Sequence, residues 1–374
     1  MTEATTGSAV HALSEGSPFA AQLEWLARRV EPLAIPIGAL IVGLALFSLF
    51  IAAIGKSPLQ LFEVMWRGGF GSMFSIQNTL SRAAPLLLAA LCVALPARLG
   101  LVVIGGEGAI VLGGVAAAAL GMALSGAPGM LTIVLMAIAG MIAGGIWIGA
   151  VGALRHYRAV NETISSLLMA YIAIALMNQL VEGPLRDPAS LNKPSTEPLA
   201  EAYRIGNIPG MDVHWGLVIG IVACIVSWIL IEKTRWGFAA RIAGDNVRAA
   251  QLQGLAVGPL IVGFCALAGA FAGLAGMIEV SAVQGSANGS LAVGYGYTGI
   301  LVAFLARHNP LAIVPVAILL GGIDASGGLI QRRMDLPDAT VLVLQGMLFV
   351  VILFSETFYG RFRIFNPDLW KRNA

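Results

Sequence analysis

Four carboxylates lie within or beside apolar stretches of this sequence: Glu107, Glu162, Glu279 and Asp324. Charge is costly in hydrocarbon, so each is a candidate for function. The available chemistry differs by site. Glu162 follows Asn161 at a helix start, where Asn caps and a carboxylate complements the dipole. Glu279 is expected at the outer interface. Glu107 sits in Gly105-Gly106-Glu107-Gly108, a flexible break between apolar segments. It can neutralise a helix end, pair with Arg98, or touch a solute on a pathway. A polar stripe forms a second constellation. Tyr171, Asn178 and Glu182 fall on one helix face of an otherwise apolar segment. Such a stripe lines a pathway or makes helix–helix hydrogen bonds. Further along, Gln284, Tyr295 and Tyr297 add amide and aromatic groups. With Tyr171 and Asn178 they would offer stacking surfaces and amide-type hydrogen bonds to a small polar solute.

Other motifs carry less. Gly55-Lys56-Ser57 resembles the end of a phosphate loop, but Phe50 stands where the motif needs glycine. Gly294-Tyr-Gly-Tyr-Thr-Gly299 fits GxGxxG, yet no strand precedes it and an apolar segment follows. His11, His156, His214 and His308 have no metal-ligand spacing. Cys92, Cys224 and Cys265 sit in apolar runs as small hydrophobes. Gly140–Gly144, Gly145–Gly149 and Gly269–Gly273 have the spacing of closely packed helices.

The elements that position these groups follow from composition. Of 374 residues, 58% are hydrophobic and 11% charged, and mean hydropathy is +0.85. Soluble domains carry about 25% charge. A cytosolic enzyme, a nucleic-acid binder and a disordered chain are excluded, so no nucleic-acid partner is expected, while the net charge of +2 says nothing about nucleic acid. An outer-membrane barrel is excluded too, because its strands alternate and give no long apolar runs. An all-α polytopic membrane protein remains, with backbone polar groups satisfied inside each helix.

About ten spans are expected, at 33–54, 80–97, 101–124, 129–153, 162–182, 214–231, 259–280, 294–306, 310–329 and 339–355. The segments 294–306 and 310–329 are short or interrupted by glycine. Residues 1–32 read as a cytoplasmic tail rather than a signal peptide, and 356–374 as a second tail. Basic residues favour the loops that place both termini inside. The outer loop 183–213 is proline-rich and forms an ordered cap rather than a span. The inner loop 232–258 is alanine-rich and basic, with Asp245-Asn246 capping a second short helix.

Four stretches in order resemble one family. They are Gly100-LVVIGGEGAIVLG-Gly114, Val160-NETISSLLMAYI-Ala173, Trp236-GFAARIAGDNVRAAQLQ-Gly254 and Gly294-YGYTGILVAFLARHNPL-Ala312. They are similar to permease subunits of ATP-binding-cassette importers, in the branch serving simple sugars, branched-chain amino acids and nucleosides. The first two look most like nucleoside importers that use a lipoprotein of the basic-membrane-protein type, and the length looks like the longer of two paired permeases. The resemblance implies a bacterial inner-membrane location and no cofactor in this chain, since ATP is bound by a partner ATPase. It also implies a second permease paralogue and an extracytoplasmic substrate-binding protein. The loop 232–258 becomes the coupling element, with Asn246, Ala249, Ala250 and Gly254 toward the ATPase cleft and Arg241 and Arg248 at its rim. Arg248 stands where such loops usually carry glutamate. An ion-driven secondary transporter would leave this inner loop unexplained, and no motif supports a membrane-embedded enzyme.

Overall fold

A computed structural model describes residues 18–190 and 193–356, with side chains from residue 35 onward. Among the described residues the main elements are α-helices: α1 (Pro18–Ala53), α2 (Pro58–Phe70), α3 (Met73–Ala97), α4 (Gly106–Ala123), α5 (Gly129–Arg158), α6 (Glu162–Glu182), α7 (Gly216–Lys233), α8 (Arg235–Asp245), α9 (Val247–Leu252), α10 (Val257–Ile278), α11 (Tyr295–Leu305), α12 (Pro310–Met334) and α13 (Ala339–Glu356). Among the described residues, nine helices are long and apolar enough to cross a membrane. The tenth expected span is α11, whose 11 residues are too few. The expected span 101–124 loses its first turn as well. Residues 101–104 are extended, and the helix starts at Gly106. The amphipathic α2 lies between spans and escaped the apolar windows because it carries Glu63 and Arg67, paired at 2.7 Å. The tail readings for 1–17 and 357–374 fall outside the described residues, and helix α1 already runs from Pro18.

Among the described residues, 18–55 with 343–356 form one compact unit, and those within 56–342 form another. In the first, Gly43 leaves room for Leu348 against the α1 backbone. In the second, α3 and α10 are the central helices. Residues 83–96 of α3 are buried on every side. Helix α10 packs on α5 backbone to backbone: Gly269 meets Gly144, and Gly273 meets Gly140 and Gly113. A Cβ at these positions would strike a neighbouring carbonyl, so the glycine spacing is a packing requirement.

Irregular backbone is satisfied by side chains. The extended segment 101–104 lies along the start of α6. Thr163 Oγ1 donates to the Val102 carbonyl at 2.9 Å, and Ile104 N donates to Ser166 Oγ at 3.1 Å. Glu162 accepts from Val102 N and pairs with Arg155 at 3.2 Å. Asn161 caps α6 through Ile164 N. The Asn161–Ser166 stretch thus staples a non-helical strand that would otherwise carry unpaired polar groups. Pro85 within α3 cannot donate to the Ser81 carbonyl, and His214 Nε2 fills that place at 3.2 Å. Burial holds His214 below its ordinary pKa, against the opposing pull of that carbonyl. The loop 183–213 straps the turn before α11: Thr196 N donates to the Ala287 carbonyl and Leu199 N to the Gly285 carbonyl.

Candidate functional site

Helix α11 starts deep in the second unit, at a glycine-rich turn. Gly294 adopts φ of 95°, a left-handed conformation open to glycine. The first N–H groups of α11 have no helical partner. Glu107 supplies one. Its two oxygens accept from Gly294 N at 2.7 Å and Gly296 N at 2.6 Å. Gly296 has no room for a Cβ, because one would strike the Glu107 backbone. Glu107 is 1% exposed and itself lies in the first turn of α4. Two helix N-termini therefore converge on one carboxylate, which offsets both dipoles. This geometry places Glu107 at a helix end. Arg98 instead approaches Glu232, at 3.8 Å.

Beside that junction is a cavity of about 470 Å3. Its polar lining includes Asn78, Arg82, Glu279, Tyr295, Asp324 and Asp338. Arg82 of α3 and Asp324 of α12 pair at 2.6 Å. Glu279 is 4% exposed. It follows α10, where Glu279–Gln284 continues as a π-helix. The wider π turn brings residues five apart onto one side, and Gln284 Nε2 donates to Glu279 Oε1 at 3.3 Å. Glu279 Oε2, Arg82 Nε and Gln284 Oε1 are buried and have no hydrogen-bond partner.

The residues singled out from sequence separate into three groups. Tyr295 lines the cavity, and Gln284 holds one of its carboxylates. Tyr171 and Asn178 lie together on the exposed face of α6, with Glu182 and Gln179. Tyr297, 40% exposed, is within electrostatic reach of Tyr171. Glu107 is sealed at the helix junction, bonded to the backbone on both sides of Tyr295 and within electrostatic reach of Tyr295 and Tyr297. Sequence reasoning missed Arg82 altogether. A basic residue three positions before a proline in an apolar run was the available signal.

The loop 232–258 forms α8 and α9. Asn246 accepts from Ala249 N at 3.0 Å and caps α9. Ala250 is fully buried against its own chain, so it does not face outward as the resemblance implied. The cap turns that position inward and leaves Val247, Arg248, Gln251, Leu252 and Gly254 exposed, with Leu252 at 85%. Ala249 is half-buried. Arg241 pairs with Glu232 of the same chain at 2.9 Å rather than standing free, whereas Arg248 has no ion pair among the described residues. Arg98 bridges this surface to the end of α11, donating to the His308 carbonyl at 3.4 Å. Burial, with Arg98 and Arg307 nearby, lowers the His308 pKa to about 4.

Comparison with known proteins gives a consistent picture. Residues 75–353 match the family model described as branched-chain amino acid transport system / permease component. The chain is 30% identical to the guanosine ABC transporter permease NupP of Bacillus subtilis, over 93% of this chain and 100% of that one. It is also 30% identical to the glucose permease TsgB13 of Haloferax volcanii, over 88% and 89%. The second guanosine permease of Bacillus subtilis, NupQ, is 25% identical over 76% and 92%.

Proposed function

The chain belongs to the branched-chain amino acid transport system permease family, and from that premise we propose that it carries a nucleoside, as one of two different permeases in one importer. It is a multi-pass membrane permease of the ATP-binding-cassette type, a transporter subunit rather than an enzyme. The observation that carries the nucleoside reading is the 30% match to a guanosine permease along that protein's whole length. The paired-permease reading draws on similarity to both guanosine permeases of one organism, with the longer overlap to NupP. It also draws on α6. Asn178, Gln179 and Glu182 are exposed on an apolar helix, and such groups are expensive against lipid tails. A second permease, with a hydrated path between the two, removes that cost.

An ATPase subunit supplies hydrolysis and docks on α8 and α9, where Leu252 enters its cleft and Arg248 lies at the rim. A binding protein delivers solute on the side of loop 183–213. The segment 285–308 makes a tenth passage, tied at Gly285 to loop 183–213 and at His308 to Arg98 on the ATPase side, so both termini lie in the cytoplasm of a bacterial inner membrane. A sugar is the second reading, favoured by the glucose permease match.

The test is uptake by sealed cells that carry the assembled importer. Labelled guanosine should enter, stop on ATP depletion and continue with an uncoupler. Uptake abolished by the uncoupler while ATP remains normal would overturn ATP-driven import. Entry of glucose and not guanosine would move the chain to the sugar reading.

A further inference from the structure

The cavity beside α11 is a built polar site inside an apolar protein, and its chemistry is lopsided. It holds three carboxylates, Glu279, Asp324 and Asp338, against one guanidinium, Arg82. Arg82 and Asp324 satisfy each other at 2.6 Å. Asp338 is exposed, at the open side. Glu279 is different: it is 4% exposed, and only one of its oxygens has a partner. The other, Oε2, is buried with none. A buried acceptor left unmade costs free energy. Here it belongs to a residue that lines a space of about 470 Å3, within the range of small-molecule sites.

We propose that this cavity binds the sugar moiety of the transported nucleoside, and that Glu279 selects for vicinal hydroxyl groups. The inference rests on the nucleoside reading above and names the residue that would read the ribose. A carboxylate oxygen accepts from hydroxyls in short, charge-assisted bonds. Two adjacent hydroxyls can share one carboxylate, because its oxygens offer several lone pairs. Arg82 and Asn78, which line the same cavity, supply donors for the oxygens of the same hydroxyls, since each hydroxyl donates once and accepts as well. The surplus of carboxylates repels a phosphate, so phosphorylated nucleosides are excluded by charge. Tyr295, on the α11 side, gives the ring a face to lie against. Gln284 is a positioning residue: its Nε2 holds Glu279 Oε1 and fixes the carboxylate at the cavity wall.

The experiment compares substrates across variants in the assembled importer, purified through this chain and reconstituted in liposomes. Guanosine, 2′-deoxyguanosine and 3′-deoxyguanosine are the probes. The binding protein is common to every permease variant, so its own preference cancels in the variant-to-wild-type ratio for each probe. Glu279→Gln keeps the size of the side chain but removes the charge. It should raise the guanosine KM on the order of tenfold, while the deoxynucleosides change by less than about threefold. Glu279→Asp, which keeps the charge, should restore part of the guanosine preference. An equal loss for all three probes, with ATPase and binding protein still co-purifying, would overturn the assignment of Glu279. So would guanosine uptake that the substitution leaves unchanged. Failure of the wild-type complex to import any of the three nucleosides would overturn the nucleoside reading itself.

Discussion

Glu107 and Glu279 are both carboxylates buried in apolar helical surroundings, yet their environments differ in kind. Glu107 is saturated: each oxygen accepts a backbone N–H at 2.7 Å or less. Glu279, which lines a cavity, has one oxygen bonded to Gln284 and one with no partner among the described residues. The first completes a helix end and is part of the architecture. The second retains unspent hydrogen-bonding capacity, which is what recognition of a solute requires. Burial alone does not separate these roles; the count of satisfied lone pairs does. The Glu107 junction also shows the physics of an anion-binding helix start, with the anion supplied by the chain itself. That is the use to which the GxGxxG spacing of Gly294–Gly299 is put.

The contrast is sharpest in a comparison of protein abundance with transport. Glu107→Ala should have the largest effect. It leaves two buried N–H groups without acceptors and opens a void, at a cost on the order of 3 kcal/mol. The protein should largely disappear from the membrane by detergent size-exclusion profile. Normal abundance with lost uptake would move Glu107 to the solute path. Glu279→Gln should show the opposite pattern, with abundance within about twofold of wild type and impaired guanosine uptake. If both quantities fell together for both residues, the distinction between them would collapse.

Smaller effects test the surroundings. Leu252→Asp should leave the permease in the membrane while weakening recovery of the ATPase subunit about tenfold, because a charge replaces an exposed apolar knob. Ala250→Trp should instead reduce the amount of permease, since Ala250 has no exposed surface. Selective loss of ATPase docking by Ala250→Trp would restore the outward orientation. Arg82→Ala removes a pair whose members are 41% and 27% exposed, so the stability cost should be about 1 kcal/mol or less. The double variant Arg82→Ala/Asp324→Ala should recover that stability but not uptake. The least effect is a pH dependence. His214 and His308 are both held below the ordinary 6.5, His308 at about 4. The unfolded chain takes up protons as pH falls below 6.5, while the folded chain resists. Their contribution is therefore complete above about pH 6.5 and is lost as pH falls toward 4. Thermal unfolding should show a Tm decline over that window, about 2 °C in size, flattened by His214→Gln/His308→Gln.

Much of the architecture was legible because spans are long and apolar over local windows. The short α11 announced itself through glycines. Asn161 and Asn246 were readable as caps because a cap acts within three residues. What escaped depends on distant pairings. Glu107 and its partners are 187 and 189 residues apart, and Arg82 and Asp324 are 242 apart. Nothing local indicates that such residues meet. Ala250 was misread for a different reason: in a helix as short as α9, the cap geometry sets which side faces the protein. The Asn161-Glu162-Thr163 stretch carried family resemblance strongly, yet in the fold it serves to hold an extended segment. Within the resemblance-bearing stretches, the Gly294–Ala312 stretch contributes Tyr295 to the cavity, while the charged lining comes from outside them.

The short α11 has a consequence for how this protein is made. Eleven residues rise about 16 Å, roughly half of the hydrocarbon thickness. On leaving the ribosome, this segment cannot lodge across a bilayer by itself, and its first amide groups have nothing to bond with in lipid. Glu107 emerges much earlier, as a charge that lipid also rejects. Each is a defect in isolation, and each cures the other. Biogenesis must therefore shelter the Glu107 region, in water or in a chaperoning insertase, until about 190 further residues have been synthesised. A chain halted before Gly294 would be recognised by membrane quality control through that one uncompensated carboxylate.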